Sequence, residues 1–430
     1  MTDPRFQRAA LLHEQSRDAL AERELRGLLG DQPENATAHA LLALVLVRLD
    51  RAREGTDAAL QAIHLEPDLA FAHYAHAVTL SKRDRPQEAL VAIEEALRQE
   101  PAEADYHALR AAIYFDLRCW PEALAEAEAG LQFDAEHVYA NNLRAMALVK
   151  LGRNTEAGAT IDATLARTPE NAWSHANKGW TLLEQGRRRE ALTHFRESLR
   201  LDPDEPHARA GVVEALKAGN PVYAVMLRYF LWTGRLSGRA QVALVLGGYF
   251  GNQILRGLAA AHPAWQPWIG PVLAAYLVFA LLTWLAQPFF NLLLWLHPVG
   301  RHALDDHQRN QAEWVGCCLG MAMLAGGGWF WLRPDPLRGY GAILWVGLTI
   351  PVAAIWNCSA GWPRRVMRGY ALCVALLVVL ATFFTWWPSS VPQTRRALEG
   401  LAQLAVLGGA AGCFIGQWVA MGLSQVRPKR

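Results

Sequence analysis

Residues 70–103 read AFAHYAHAVTLSKRDRPQEALVAIEEALRQEPAE, and residues 104–137 read ADYHALRAAIYFDLRCWPEALAEAEAGLQFDAEH. Laid over one another, the two stretches keep small and bulky residues in the same places. The offset is 34 residues, and it holds through five cycles. A small residue recurs at Ala43, Ala77, Ala111, Ala145 and Gly179. A second recurs at Gly55, Ala89, Ala123, Ala157 and Ala191, and an apolar residue at Ile63, Leu97, Leu131, Leu165 and Leu199. Pro33, Pro67, Pro101, Pro169 and Pro203 keep the same spacing, with Ala135 where the missing member would fall.

Each period holds two stretches of helical periodicity. Small residues let two antiparallel helices approach closely, and the proline stops the second helix and sets the turn. One pair cannot bury its apolar face alone, so pairs stack into a superhelix. The predicted fold class is all-α. A worn unit over residues 2–35 keeps Ala9, Ala21 and Pro33 in register, and Pro206–Ala218 reads as a capping helix.

The period resembles the tetratricopeptide repeat family over residues 1–218. The resemblance implies a right-handed superhelix whose first helices line a concave groove. It places Phe71, Tyr74, Phe115, Tyr139, Asn142, Met146, Trp173 and Trp180 in that groove, an aromatic trough suited to a peptide or helix. The family's carboxylate clamp for chaperone tails needs Lys, Asn and Arg at fixed groove places. Here the fifth places are Ala40, Tyr74, Ala108, Asn142 and Ala176, and the ninth are Leu44, Val78, Ala112, Met146 and Trp180, so that mode is excluded. Where the family carries a bulky aromatic, this chain has His39, His73, His107, Asn141 and His175. Rings a repeat apart are too distant to share a metal, so the expectation is packing between units.

From residue 240 the texture changes. Five acids (Asp305, Asp306, Glu313, Asp335, Glu399) and 13 basic residues follow that point, leaving 35 acids and 29 basic residues before it. The net charge of +2 thus conceals a front part near −6 and a back part near +8. Fourteen of the 17 tryptophans fall from Trp232 onward, as in a membrane domain with interfacial rings. Apolar runs predict spans at Ala240–Ala260, Pro271–Leu296, Trp314–Trp331, Ala342–Trp356, Tyr370–Trp387 and Leu401–Leu423. Pro288, Gln287 and Asn291 predict a kink or split in the second. Pro221–Trp232 predicts an interfacial elbow. The expected division is 1–218 repeats, 219–239 elbow and 240–430 membrane bundle. The bundle resembles the membrane parts of bacterial repeat-bearing proteins, which carries no activity with it.

With six spans, one set of flanks holds Arg228, Arg235, Arg239, Arg301, Arg309, Arg364, Arg365, Arg368, Arg427, Lys429 and Arg430. The other holds Arg333, Arg338, Arg395 and Arg396. This asymmetry predicts both termini and the repeats in the cytoplasm of a bacterial cell, beneath its inner membrane. The charged start, MTDPRFQRAALLHEQSRDAL, lacks the apolar core of a secretory signal. The 37 arginines against 5 lysines fit GC-rich bacterial coding. Gly408, Gly412 and Gly416 make a smooth helix face, for packing within the bundle or between two copies.

No zinc-protease, Walker or nucleophile-elbow motif occurs, and the six cysteines lack metal-ligand spacing. Asn357-Cys358-Ser359 reads as a helix-end cluster, and Asp305-Asp306-His307 as a cap. The expectation is therefore a non-enzymatic protein-binding scaffold without cofactor, metal or nucleic acid. Its partners are a peptide and the bilayer. The alternative is a transporter or channel with a regulatory repeat domain.

Overall fold

The structure, a computed structural model, describes residues 3–236, 238–297, 301, 303–332, 336–359, 361–386 and 392–424. Every element among them is a helix. They form two compact units, one of residues 1–211 with 231–244, the other of 212–230 with 245–430.

The first unit stacks antiparallel pairs. These are α1 (Pro4–Glu14) with α2 (Asp18–Asp31), α3 (Ala36–Arg48) with α4 (Ala52–Leu65), and α5 (Ala70–Lys82) with α6 (Pro86–Gln99). Then come α7 (Ala104–Asp116) with α8 (Trp120–Phe133), α9 (Val138–Lys150) with α10 (Asn154–Arg167), and α11 (Ala172–Glu184) with α12 (Arg188–Leu201). The next helix, α13 (Pro206–Lys217), begins in the phase of the repeats.

The two small-residue registers meet where paired helices cross. A Cβ on Gly55 would lie 2.9 Å from the carbonyl oxygen of Ala43. In the last pair, α11 with α12, alanine gives way to Gly179 because the fully buried Phe195 ring fills that space. A Cβ on Gly179 would sit 2.5 Å from the ring, and one on Gly211 of α13 would sit 2.3 Å from it. Phe195 is thus wedged between two glycines.

The first helix of every pair ends in a left-handed residue at the same phase: Ser16, Asp50, Asp84, Arg118, Gly152 and Gly186. In each, the following N–H bonds five residues back, as Arg51 N–H does to Leu46 O at 2.8 Å and Cys119 N–H to Tyr114 O at 2.9 Å. These bonds satisfy carbonyls that the helix end leaves open. The worn first pair, with Ser16, makes the same turn.

The second unit contains part of α14 (Pro221–Gly234) and of α15 (Gly238–Ala261). It continues with α16 (Gln266–Leu296), α17 (Asp306–Leu332), α18 (Pro336–Ala354), α19 (Trp362–Trp386) and α20 (Pro392–Ser424). Its apolar core joins α18, α19 and α20 through Leu344, Leu348, Met367, Val374, Val378 and Cys413. The α16 helix bends by 60° between residues 263–280 and 285–296. Pro288 supplies the cause, since its ring clashes with the carbonyl four residues back and removes one N–H.

By length and composition, Trp362–Trp386 and Glu399–Ala420 could cross a membrane, and the bent α16 makes a third candidate. The other predicted spans lie on helices that do not meet this measure among the described residues. The apolar part of α18, Tyr340–Ala354, is too short. The α15 helix carries Asn252, Gln253 and Arg256. Arg333, Trp387, Arg427, Lys429 and Arg430 lie outside the described residues, as do the side chains of Arg239, Trp329, Trp331, Arg338, Arg395, Arg396 and Gln417.

Candidate functional site

The aromatic side chains assigned to the groove gather into small stacks rather than one trough. On α5 and α7, Phe71, Tyr74 and Tyr106 form a column with ring centroids 6.2 and 5.0 Å apart. Burial pushes the Tyr74 hydroxyl above the usual phenol range, so it stays a neutral donor. On α9 and α11, Tyr139 lies against Trp173 at 5.3 Å, and Tyr139 keeps 42% of its surface exposed. Phe115 meets Trp120 edge-on at 4.9 Å. Met146 is half-buried.

Two residues assigned to the groove have other work. Asn142 has no exposed surface. Its amide donates to Ser174 Oγ at 2.8 Å and its carbonyl accepts from Asn177 at 2.8 Å, so it is a polar strut between α9 and α11. A bare amide in that interior would cost far more than a partnered one, hence the paired Asn and Ser. Trp180 packs on Phe195 and His207, and its indole N–H donates to the His207 carbonyl at 3.1 Å, fastening the start of α13 to the array.

The histidine ladder also departs from expectation. His39, His73, His107 and His175 each set Nε2 at 2.8–3.0 Å from the carbonyl of the proline six residues back. Asn141 donates to Ala135 O at 3.1 Å, and in the next unit Arg209 donates to Pro203 O at 3.0 Å. Imidazole, amide and guanidinium share only an N–H. The position therefore selects a donor that ties down the inter-repeat loop, not an aromatic that packs between units. Since a carbonyl can only accept, each Nε2 carries the proton. His175 Nδ1 then accepts from His194 Nδ1 at 3.1 Å. Burial first, and His175 second, hold His194 below its usual value, and burial does the same to His207. Among the described residues no three His, Cys, Asp or Glu side chains converge as metal ligands.

A feature not anticipated from sequence lies on the turn edge of the array, where each second helix begins. Arg51, Arg85, Arg153 and Arg187 each pair with the Glu three residues on. The pair of α7 with α8 has Cys119 at that place, followed by Trp120. The Trp120 indole instead donates to the backbone carbonyl of Arg235 at 2.9 Å, 115 residues away. The Arg235 guanidinium pairs with Glu184 at the end of α11, whose side chain is 3% exposed. Gln241 bonds the Thr233 carbonyl at 2.8 Å. The chain thus lays residues 233–235 against its own repeats. The one sequence signal was the break in the Arg–Glu pattern at Cys119.

In the second unit, Gly408, Gly412 and Gly416 of α20 face helices of the same chain. A Cβ on Gly412 would lie 2.8 Å from Val374 of α19, and one on Gly416 3.1 Å from Pro351 of α18. Gly408 faces Leu377. The Tyr370 hydroxyl donates to Gly412 O at 2.6 Å. Asn291 of α16 donates to Gln311 of α17 at 3.0 Å, and Gln311 to Ala353 O of α18 at 2.9 Å, a polar chain across three helices. Asp305 accepts from Gln308 N–H at 2.6 Å, as a helix cap.

Residues 172–205 match the family model of the tetratricopeptide repeat. No curated protein matches the chain. Among solved structures, the chain is similar to YrrB, a tetratricopeptide repeat protein with an unusual peptide-binding site. The identity is 20% over 43% of this chain and 95% of that one, with a TM-score of 0.33. A thermophilic tetratricopeptide repeat protein from Thermus thermophilus, TTC0263, is similar at 19% identity over 42% and 98%, with a TM-score of 0.39. PilW, a type IV pilus biogenesis factor, is similar at 16% identity over 48% and 96%, with a TM-score of 0.41. The helix pairs of the first unit thus recur every 34 residues, and the pair at 172–205 matches the tetratricopeptide repeat model.

Proposed function

We propose that the protein is a membrane-anchored scaffold whose repeats bind a protein or peptide. The tetratricopeptide fold is typically an interaction scaffold rather than an enzyme. The observation that carries the binding site is the Tyr139–Trp173 pair. The two rings hold each other rigid across consecutive inner helices while Tyr139 stays open to a ligand. A pre-ordered aromatic with little entropy left to lose is the usual anchor of a peptide site. Phe71, Tyr74 and Phe115 extend that surface. Residues 1–218 are the binding part, 219–239 an elbow, and 240–430 a bundle of about six spans with both termini cytoplasmic.

Membrane anchoring is supported by α19 and α20, which are apolar on outward faces as well as inward ones. Leu372 of α19 is 70% exposed and Leu404 of α20 68%. Water would charge roughly 1.5–3 kcal/mol for each such side chain, a cost that lipid removes.

The full chain, isolated in mild detergent from its own cells, tests the binding site. Tyr139→Ala combined with Trp173→Ala is expected to remove a co-purifying protein that the parent retains. The same set of proteins on both would sink the assignment. Trp180 is left intact because it holds α13.

A further inference from the structure

In the second unit, α16, α17 and α18 enclose an open groove of about 870 Å³. Phe289 and Leu296 of α16, Met323 of α17, and Ile343 and Val346 of α18 line it. At Gly316 the α16 and α17 helices pack closely, since a Cβ there would lie 3.0 Å from Leu292 Cδ1. Among the described lining residues one is charged, Glu313, which sits one turn beyond Arg309 and pairs with it at 3.3 Å. From Glu313 to Met323 the α17 wall runs about 15 Å at 1.5 Å per residue.

A groove apolar along its length and ionic at one end fits an amphipathic molecule lying along α17. The ionic end offers both signs at once. The carboxylate suits an ammonium, and the neighbouring guanidinium suits a phosphate. A fatty acid would bring its carboxylate against Glu313, and an anionic glycerol headgroup would bring no cation for it. A quaternary ammonium would bring no N–H.

We propose that this groove binds an amine-bearing glycerophospholipid. One acyl chain lies between α16 and α18, the ammonium meets Glu313, and the phosphate meets Arg309. The inference rests on the membrane reading above, and the test separates the two. Membranes holding the full chain are first washed with alkaline carbonate. Release of the chain would overturn both readings.

The retained chain is then purified in mild detergent and offered equal amounts of phosphatidylethanolamine, phosphatidylcholine and phosphatidylglycerol. Bound lipid is counted by native mass spectrometry. The parent is expected to favour phosphatidylethanolamine about tenfold, the worth of one charge-assisted hydrogen bond. Glu313→Gln should keep bound lipid but lose that preference. Met323→Asp, which puts a charge on the exposed apolar wall, should lower bound lipid of all three kinds, and undiminished lipid in that variant would also overturn the proposal. Equal retention of the three lipids by the parent overturns the proposal. So does an undiminished preference in Glu313→Gln.

Discussion

At the scale of single residues, the repeat uses chemistry more selectively than size. The place held by His39, His73, His107 and His175 needs an N–H aimed at a loop carbonyl, and Asn141 and Arg209 supply it equally well. The left-handed place at the end of each first helix shows the opposite economy. Gly152 and Gly186 adopt it freely, while Arg118 holds a φ of 61° against its own Cβ. A left-handed conformation costs a non-glycine residue roughly 1–2 kcal/mol, part of which glycine gives back as unfolded-chain entropy. Arg118→Gly is therefore expected to stabilise the array by about 0.5–1 kcal/mol, read as a raised thermal midpoint. A lowered midpoint would show that the Arg118 side chain contributes more than its backbone costs.

At the scale of elements, the docked segment at residues 233–235 is held by one indole bond and one ion pair. Glu184 is almost fully buried, and Arg235 is about a quarter exposed. Removing one partner from a fully buried pair costs about 3–5 kcal/mol, and partial exposure of Arg235 reduces that to about 1–2 kcal/mol. Glu184→Gln should speed protease cleavage at residues 233–236 several-fold while cleavage elsewhere in the repeats stays constant. Unchanged cleavage there would mean that Trp120 alone holds the segment. The α16 bend is an element-scale feature too, legible from Pro288 in the sequence.

At the scale of the whole molecule, the repeat unit carries a pH dependence of definite sign. His194 and His207 are bases whose values burial lowers on folding from 6.5. The unfolded chain takes up their protons near pH 6.5 while the folded chain resists. Their contribution is whole above that pH and is lost as pH falls through and below it. Asp105 beside His137 raises that one imidazole and works the other way. The thermal midpoint of the full chain is expected to drop between pH 7.5 and 5.5, and less steeply in His194→Gln with His207→Gln. An equal drop in that double variant would place the sensitivity elsewhere.

The sequence by itself determined the period, the helix pairs and the separation of an acidic repeat part from a basic apolar part. These follow from local rules: small residues at crossings, proline after the second helix, and 3.6-residue periodicity, all repeated along the array. It also named most of the aromatic residues that stack on the first helices of the pairs. Tertiary structure decided which of them remain open. Asn142 and Trp180 fit the groove pattern as well as Tyr139, yet one is an interior strut and the other a fastener. Tertiary structure also decided the contact of Arg235 with Trp120 and Glu184, across 115 and 51 residues. Period and propensity describe a residue's neighbours along the chain. Which donors and charges meet from distant segments depends on how the chain closes in space, and no local pattern encodes that.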